Sequence, residues 1–258
     1  MKEKLKILPS KNWFKIVFWI ILPVVSHFLS AYVSAVVIRL TLLPFFWNNE
    51  IGYKNILSST TVTFAYSLLM FAAMLVLMYF VSKKVFKYKF SKEDLGISKA
   101  LTWSDLGLGI LGFVVAVIFS GVLLSVVSAV FPGFDVAQKQ DVAFESSAMS
   151  RPWQFLLVFF MLAVFAPLIE EFIFRGMIFG QLRKINPALA IILTSAIFGL
   201  LHYQWNVGIT FFVMSLVMCV IREKLTDSIW AGVVIHFLQN SIAFFYLFIF
   251  PMLQFVSL

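Results

Sequence analysis

Residues 153–182 read WQFLLVFFMLAVFAPLIEEFIFRGMIFGQL, a stretch long enough to cross the hydrocarbon core of a bilayer as one helix. Its only charged residues are Glu170, Glu171 and Arg175, which lie well inside the apolar run. A charged side chain inside a membrane span costs free energy unless it is paired or faces a polar cavity. The stretch therefore predicts a transmembrane helix, and its three charged residues are candidates for function.

The rest of the chain has the composition of a membrane protein. Of its 258 residues, 62% are hydrophobic and 12% are charged, whereas a soluble globular chain has about half apolar and about a quarter charged residues. The mean hydropathy of +0.98 agrees with this. Because such a chain cannot cover its surface with polar groups in water, we predict that it lies in the lipid bilayer.

Apolar runs of spanning length divide the whole chain. The predicted spans are 13–40, 57–81, 106–131, 153–182, 188–202, 207–221 and 229–250. The fifth and sixth are short, so we expect about seven spans, with six to eight compatible. On the third span, Gly112, Ala116 and Ser120 predict a face for close helix packing. The connections are too short to fold alone, so we predict a single domain over residues 1–258, an all-α polytopic transmembrane helical bundle with its motif-bearing core at about 152–250.

Lysine and arginine are concentrated in every second connection. The basic segments contain Lys2, Lys4, Lys6, Lys11 and Lys15, then Lys83, Lys84, Lys87, Lys89, Lys92 and Lys99, then Arg183 and Lys184, then Arg222 and Lys224. The alternate connections carry only Lys54, Lys139 and Arg151, and one is acidic through Asp135, Asp141 and Glu145. Because cytoplasmic loops are enriched in basic residues, we predict a multi-pass cell-membrane protein with a cytoplasmic N-terminus and an external C-terminus. The N-terminal run is too long for a typical signal peptide and is interpreted as an uncleaved first span.

The net charge of +8 could also indicate a nucleic-acid partner. The basic residues lie in short loops beside apolar runs, however, without an aromatic-interleaved basic patch, so we expect no nucleic-acid binding. The single cysteine, Cys219, excludes a disulfide framework and is interpreted as a small buried hydrophobe.

The charged residues of the fourth span are predicted to have different roles. Glu171 and Arg175 are four residues apart, so they share a helix face and can form an ion pair. Glu170 projects about 100° away from Glu171, towards a different neighbour. A purely structural pair would need only one glutamate. We therefore predict that Glu170 is free for proton transfer.

Two further spans carry polar residues at matching depth. His202 ends the fifth span, and His236 and Asn240 share one face of the seventh. Counted from the cytoplasmic ends at 1.5 Å per residue, Glu170 and His202 lie about 21–22 Å deep, His236 about 12 Å and Asn240 about 18 Å. One polar cavity inside the membrane could gather all four. The remaining histidine, His27, has no helical partner and is interpreted as structural.

These residue types fit the hydrolysis of a peptide bond. A buried carboxylate can act as general base on a water molecule, a neighbouring histidine can share that proton, and a His/Asn pair can donate hydrogen bonds to the oxyanion of a tetrahedral intermediate. The chain has no G-x-S-x-G and no H-E-x-x-H motif. The sequence thus favours a glutamate-dependent hydrolase without a redox cofactor.

The three motifs, in this order on separate spans, resemble the CPBP family. Its members are the CAAX protease and bacteriocin-processing proteins, also called the ABI family, which include the type II CAAX prenyl endopeptidases. The resemblance covers about residues 167–240 and extends to Phe174-Arg175-Gly176. It implies that Glu170 activates water beside His202, that Glu171 and Arg175 organise the site, and that His236 and Asn240 stabilise the oxyanion.

The resemblance also implies an endopeptidase that acts on a membrane-associated peptide or a lipidated protein, in bacterial relatives for bacteriocin self-immunity or peptide maturation. The family has been regarded as metalloprotease-like, so the alternative site is Zn²⁺ held by Glu170, His202 and His236. We favour a metal-free mechanism, because a His/Asn oxyanion pair leaves only one histidine for a metal. The short basic loops and compact size suggest a bacterial source.

Two other functions are compatible with such a chain. It could be a non-catalytic immunity or regulatory protein that binds a peptide or a partner membrane protein, although no motif residue is missing. It could also be a small proton-coupled transporter, but such transporters are typically built from repeats. We find no repeat, and the intramembrane charges are confined to the C-terminal half.

The predicted orientation can be tested by cysteine labelling of intact cells. In a Cys219→Ala background, a cysteine at Asp135 should react with a membrane-impermeant maleimide, and a cysteine at Lys92 should react only after permeabilisation. Labelling of position 92 from outside would reverse the orientation.

Overall fold

The computed structural model describes residues 10–87, 90–138, 144 and 151–251. Part of the charge pattern used for the orientation lies outside the described residues, namely Lys2, Lys4, Lys6, Lys89, Lys139, Asp141 and Glu145. Within the described residues the protein is helical and contains no strand.

Eight helices follow one another in these residues. They are α1 (Ser10–Leu42), α2 (Glu50–Leu57), α3 (Thr60–Phe86), α4 (Trp103–Val130), α5 (Pro152–Leu182), α6 (Pro187–Leu200), α7 (Trp205–Thr226) and α8 (Trp230–Ile249). Six of them are long and apolar enough to cross a membrane, and α6 is a shorter apolar helix. The predicted all-α polytopic bundle of about seven spans is thus confirmed, while the short helix α2 was not predicted.

Local sequence explains where several helices begin. The Ser59 hydroxyl accepts the N–H of Val62 at the start of α3, and the Asn186 side chain accepts the N–H of Leu189 at the start of α6. Thr102 and Asp105 form a reciprocal capping box at the start of α4. These contacts satisfy N–H groups that have no partner within the helix, which is essential near a membrane.

The predicted small-residue face of α4 packs against α7 and α8. A side chain at Gly112 would lie 2.6 Å from Ile221 and 2.7 Å from Ile235, and one at Gly109 would lie 2.5 Å from Val234. Small residues let helix backbones approach closely in a membrane, where apolar burial alone gives little driving force. Helix α4 therefore packs closely against α8.

The connections that were predicted to be cytoplasmic meet at one end of the bundle. The segment after α3 is held there by the ion pair of Asp94 with Lys184 at 2.5 Å, and by the Arg222 guanidinium, which donates to the Asp94 carbonyl at 2.7 Å. Burial would raise the pKa of Asp94, but the hydrogen bond and charge of Lys184 outweigh it and hold that pKa below its usual value. At the other end of the bundle, the Asn206 amide donates to the carbonyls of Val136 and Gln138. This arrangement has the alternation expected of seven spans.

The segment after α3 also packs on α5. A side chain at Gly176 would lie 3.2 Å from the Leu95 carbonyl oxygen, and one at Gly180 would collide with the carbonyl of Asp94. Gly96 adopts φ +68°, a conformation that L side chains rarely adopt. Gly176 and Gly180 thus leave room on α5 for the main chain of this segment. The close contact holds α5, which carries the charged motif, in place.

Candidate active site

Two wide turns interrupt α5 around its charged residues. Residues Phe160–Phe165 and Phe172–Phe179 are π-helical, separated by the α-helical turn Ala166–Glu171. The first π turn ends just before Pro167, which has no N–H to donate to the preceding turn. Such wide turns are frequent at functional sites, because they change the direction in which the following side chains project.

The predicted ion pair of α5 is present and fully buried. Arg175 Nη1 lies 2.7 Å from Glu171 Oε1, and neither side chain is more than 1% exposed. The Arg175 guanidinium also lies over the ring of Phe198, 4.3 Å from its centroid. The aromatic face adds a favourable cation–π interaction where water is excluded.

His236 of α8 lies between the two glutamates of α5. Its Nδ1 is 3.2 Å from Glu171 Oε1, and its Nε2 is 3.7 Å from Glu170 Oε2. Both glutamates therefore share one neighbour, although we expected them to face different ones. One imidazole reaches both because its two nitrogens, on either side of Cε1, point in different directions. The simple depth count separated His236 from Glu170, since it ignored helix tilt and the π turns.

The two carboxylates differ in their access. The Glu170 side chain is 24% exposed, whereas that of Glu171 is 0% exposed. When Nδ1 of His236 carries its proton and donates to Glu171, Nε2 is an acceptor that faces Glu170. The arrangement can therefore pass a proton between Glu170 and His236 while the Arg175 guanidinium binds Glu171.

His202 has different surroundings from those we expected. Its Nδ1 donates to the Phe198 carbonyl at 2.8 Å, which leaves Nε2 free to accept. Its ring stacks on Phe211 with centroids 3.8 Å apart, and no described hydrogen bond or ion pair joins it to Glu170. Phe198 and Phe211 also contact His236, at 5.6 and 5.7 Å between ring centroids. The two imidazoles are thus neighbours of the same two phenylalanines.

Asn240 lies one turn beyond His236 on α8. Its Nδ2 donates to the main-chain carbonyl of Leu162 in α5 at 2.8 Å. The side chain therefore reaches the same helix as the glutamates, but at the level of the first π turn.

One site residue, Gly232, was not predicted from the sequence. A side chain at Gly232 would lie 2.6 Å from Glu171 Oε2, so only glycine leaves room for this carboxylate. The available signal was its place four residues before His236, on the same face of α8. Phe211 was also missed, and nothing in its apolar surroundings marks it.

Comparison with known proteins agrees with the three motifs. Residues 152–242 match the family model described as Type II CAAX prenyl endopeptidase Rce1-like. A Bacillus subtilis (strain 168) protein named "Putative membrane peptidase YdiL" is 26% identical over 180 residues, which cover 68% of each chain. The C-terminal part of the chain is thus similar to the CAAX-type proteases. No solved structure matches it.

In the alternative zinc site of Glu170, His202 and His236, protein oxygens already lie near the ring nitrogens of the two histidines. Both ring nitrogens of His236 face carboxylates, and Nδ1 of His202 is bound to a main-chain carbonyl. Among the described residues, no group of three or more His, Cys, Asp or Glu side chains has the spacing of metal ligands. Each histidine keeps Nε2 as a possible metal donor, but the alternative set of Glu170, His202 and His236 does not have the spacing of zinc ligands as these side chains stand.

We predict that Gly232→Ala disturbs the site of Glu171, Arg175 and His236 although it replaces no charged residue. The added methyl would push the Glu171 carboxylate away from Arg175 and His236, lowering the free energy of unfolding by about 1–3 kcal/mol. Thermal unfolding in detergent measures this effect.

Gly121→Ala is the matched control, because a side chain at Gly121 of α4 would meet nothing within 4 Å. It should leave the unfolding temperature unchanged or slightly raised. Equal effects of the two substitutions would mean that Gly232 provides no specific space for Glu171.

Proposed function

We propose that this chain is a membrane-embedded endopeptidase that uses glutamate and needs no metal. The observation that carries the proposal is the position of His236, which is 1% exposed and lies between Glu170 and the buried Glu171–Arg175 pair. A purely structural ion pair has no use for a second carboxylate on the other side of the imidazole. The family relationship indicates a membrane peptidase.

Glu170 is the proposed general base. Its carboxylate is the accessible one of the two, so a water molecule can reach it. His236 Nε2 can take up or return the proton, while the Arg175-held Glu171 keeps the imidazole in a fixed orientation through Nδ1. This assembly resembles other acid–base sites, in which a third group orients the base.

The donors for the tetrahedral oxyanion are proposed to be Asn240 and, once its Nε2 has taken up the proton from Glu170, His236. One N–H of the Asn240 amide already binds the Leu162 carbonyl, so this side chain can offer one further N–H to a substrate. Nδ1 of His202 binds the Phe198 carbonyl, and we propose that its Nε2 accepts a hydrogen bond from the attacking water. Donors of this kind stabilise negative charge strongly where water is scarce.

The location of the site supports the proposed class of substrate. Glu170, Glu171 and His236 are on helices of spanning length, so the scissile bond must reach the membrane. We propose a membrane-associated or lipidated peptide as substrate, cleaved in bacteriocin self-immunity or peptide maturation in a bacterium.

The roles assigned to the two carboxylates predict that two matched variants differ in their effect on stability. Glu170→Gln should lower cleavage of a peptide by about 10²–10⁴-fold with an unchanged unfolding temperature. Glu171→Gln should also destabilise the protein, by about 3–5 kcal/mol, because it leaves Arg175 buried without its partner. Purified variants are compared by peptide cleavage and thermal unfolding.

Full activity of Glu170→Gln would remove Glu170 as the base. A wild-type protein that binds a peptide without cutting it would instead support the non-catalytic immunity protein.

The metal-free mechanism predicts that chelators leave the activity unchanged and that the active protein lacks stoichiometric zinc. His236→Ala should lower the rate by about 10²–10³-fold through lost hydrogen bonding in the transition state. Elemental analysis of the wild type and of His236→Ala, beside peptide cleavage, provides the measurement. One zinc per active wild-type chain, lost in the variant, would establish metal catalysis.

A further inference from the structure

The main chain of α5 has a carbonyl that its own helix cannot satisfy. In the first π turn the N–H of Ala166 donates to the carbonyl of Met161, five residues earlier. The next carbonyl, that of Leu162, would need the N–H of residue 167 for a bond of the same spacing, and residue 167 is proline. The α-helical bond to the Leu162 carbonyl would need the N–H of Ala166, and that N–H already donates to Met161.

Asn240 supplies the missing donor from the neighbouring helix. Its Nδ2 lies 2.8 Å from the Leu162 oxygen. A main-chain carbonyl without a donor is costly at membrane depth, because no bulk water replaces the lost partner. The side-chain amide of α8 therefore completes the hydrogen bonding of α5.

The position of this bond links it to the chemistry. Leu162 lies eight residues before Glu170 on α5, and Asn240 lies four residues after His236 on α8. The contacts of His236 with Glu170 and Glu171, at 3.7 and 3.2 Å, join the same two helices. A shift of α8 along α5 would therefore change all of these distances together.

We propose that Asn240 is a positioning residue: its amide binds the Leu162 carbonyl, which Pro167 leaves without a donor, and so sets the register of His236 against the two glutamates. This inference rests on the proposed function for its effect on catalysis, but not for its effect on stability. It assigns Asn240 a role in the free protein, before any substrate is bound.

A double-mutant cycle with Pro167 tests this role. Asn240→Leu removes the donor and keeps a similar volume. Pro167→Ala restores an N–H at position 167, at the spacing that reaches the Leu162 carbonyl. In the native background, Asn240→Leu should lower kcat about 10- to 100-fold with little change in KM, and lower the unfolding temperature by about 2–8 °C.

In the Pro167→Ala background, the same substitution should lose most of its effect on the unfolding temperature and the part of its effect on kcat that comes from helix register, because Leu162 then has a main-chain donor. An Asn240 that acts only on the substrate predicts the opposite result, in which the Asn240→Leu loss is equally large in both backgrounds. Independent effects of the two substitutions on kcat and on the unfolding temperature would overturn the proposal.

Gln239→Leu is the matched control, since it removes the same amide one residue earlier, where it makes no hydrogen bond to the described residues. It should change neither kcat nor the unfolding temperature by a comparable amount. If the wild type or Pro167→Ala proves inactive, the cycle in unfolding temperature still decides whether Asn240 binds the Leu162 carbonyl. Inactivity of the wild type alone counts against the proposed function and not against this hydrogen bond.

Discussion

The buried ion pair of Glu171 with Arg175 imposes the requirements that shape its surroundings. Taking two charges out of water costs several kcal/mol each unless attraction and further contacts offset it. The face of Phe198 covers the guanidinium, His236 contacts the carboxylate, and Gly232 leaves the space that the carboxylate occupies. These contacts come from two other helices, α6 and α8, so one pair in α5 determines how three helices pack.

The backbone of α5 departs from α-helical geometry at the positions where the site needs it. Glu170 and Glu171 lie in the α-helical turn between the two π turns, about 100° apart, and the two nitrogens of His236 contact one glutamate each. The π turns on either side of Ala166–Glu171 alter the phase of the helix. Irregular turns leave main-chain groups without partners, and such groups must find other partners in a membrane. The amide of Asn240 is such a partner for the wide turn before Pro167.

The sequence predicted the parts of this site that depend on spacing within one helix. The i,i+4 pair of Glu171 and Arg175 followed from helical periodicity, and the spans followed from the lengths of the apolar runs. Contacts between helices were harder to predict. The sequence suggested His202 as the neighbour of Glu170, whereas His236 occupies that place, because the lateral arrangement of α6 and α8 around α5 leaves no periodic signal. Gly232 was missed for a related reason, because the carboxylate that requires a glycine at this position belongs to another helix.

Polar contacts connect the helices of this bundle at three levels. Arg222 and Lys184 hold the segment at Asp94 at one end, the site lies between, and Asn206 holds the carbonyls of Val136 and Gln138 at the other. Apolar side chains pack against lipid tails nearly as well as against each other, so they specify helix positions only weakly. Hydrogen bonds and ion pairs are directional and supply that specificity. In such a protein the groups that do chemistry also hold the helices together, and single substitutions at the site therefore mix both effects. Coupling between substitutions on different helices separates them, because it isolates the interaction between two groups from the stability that each contributes alone.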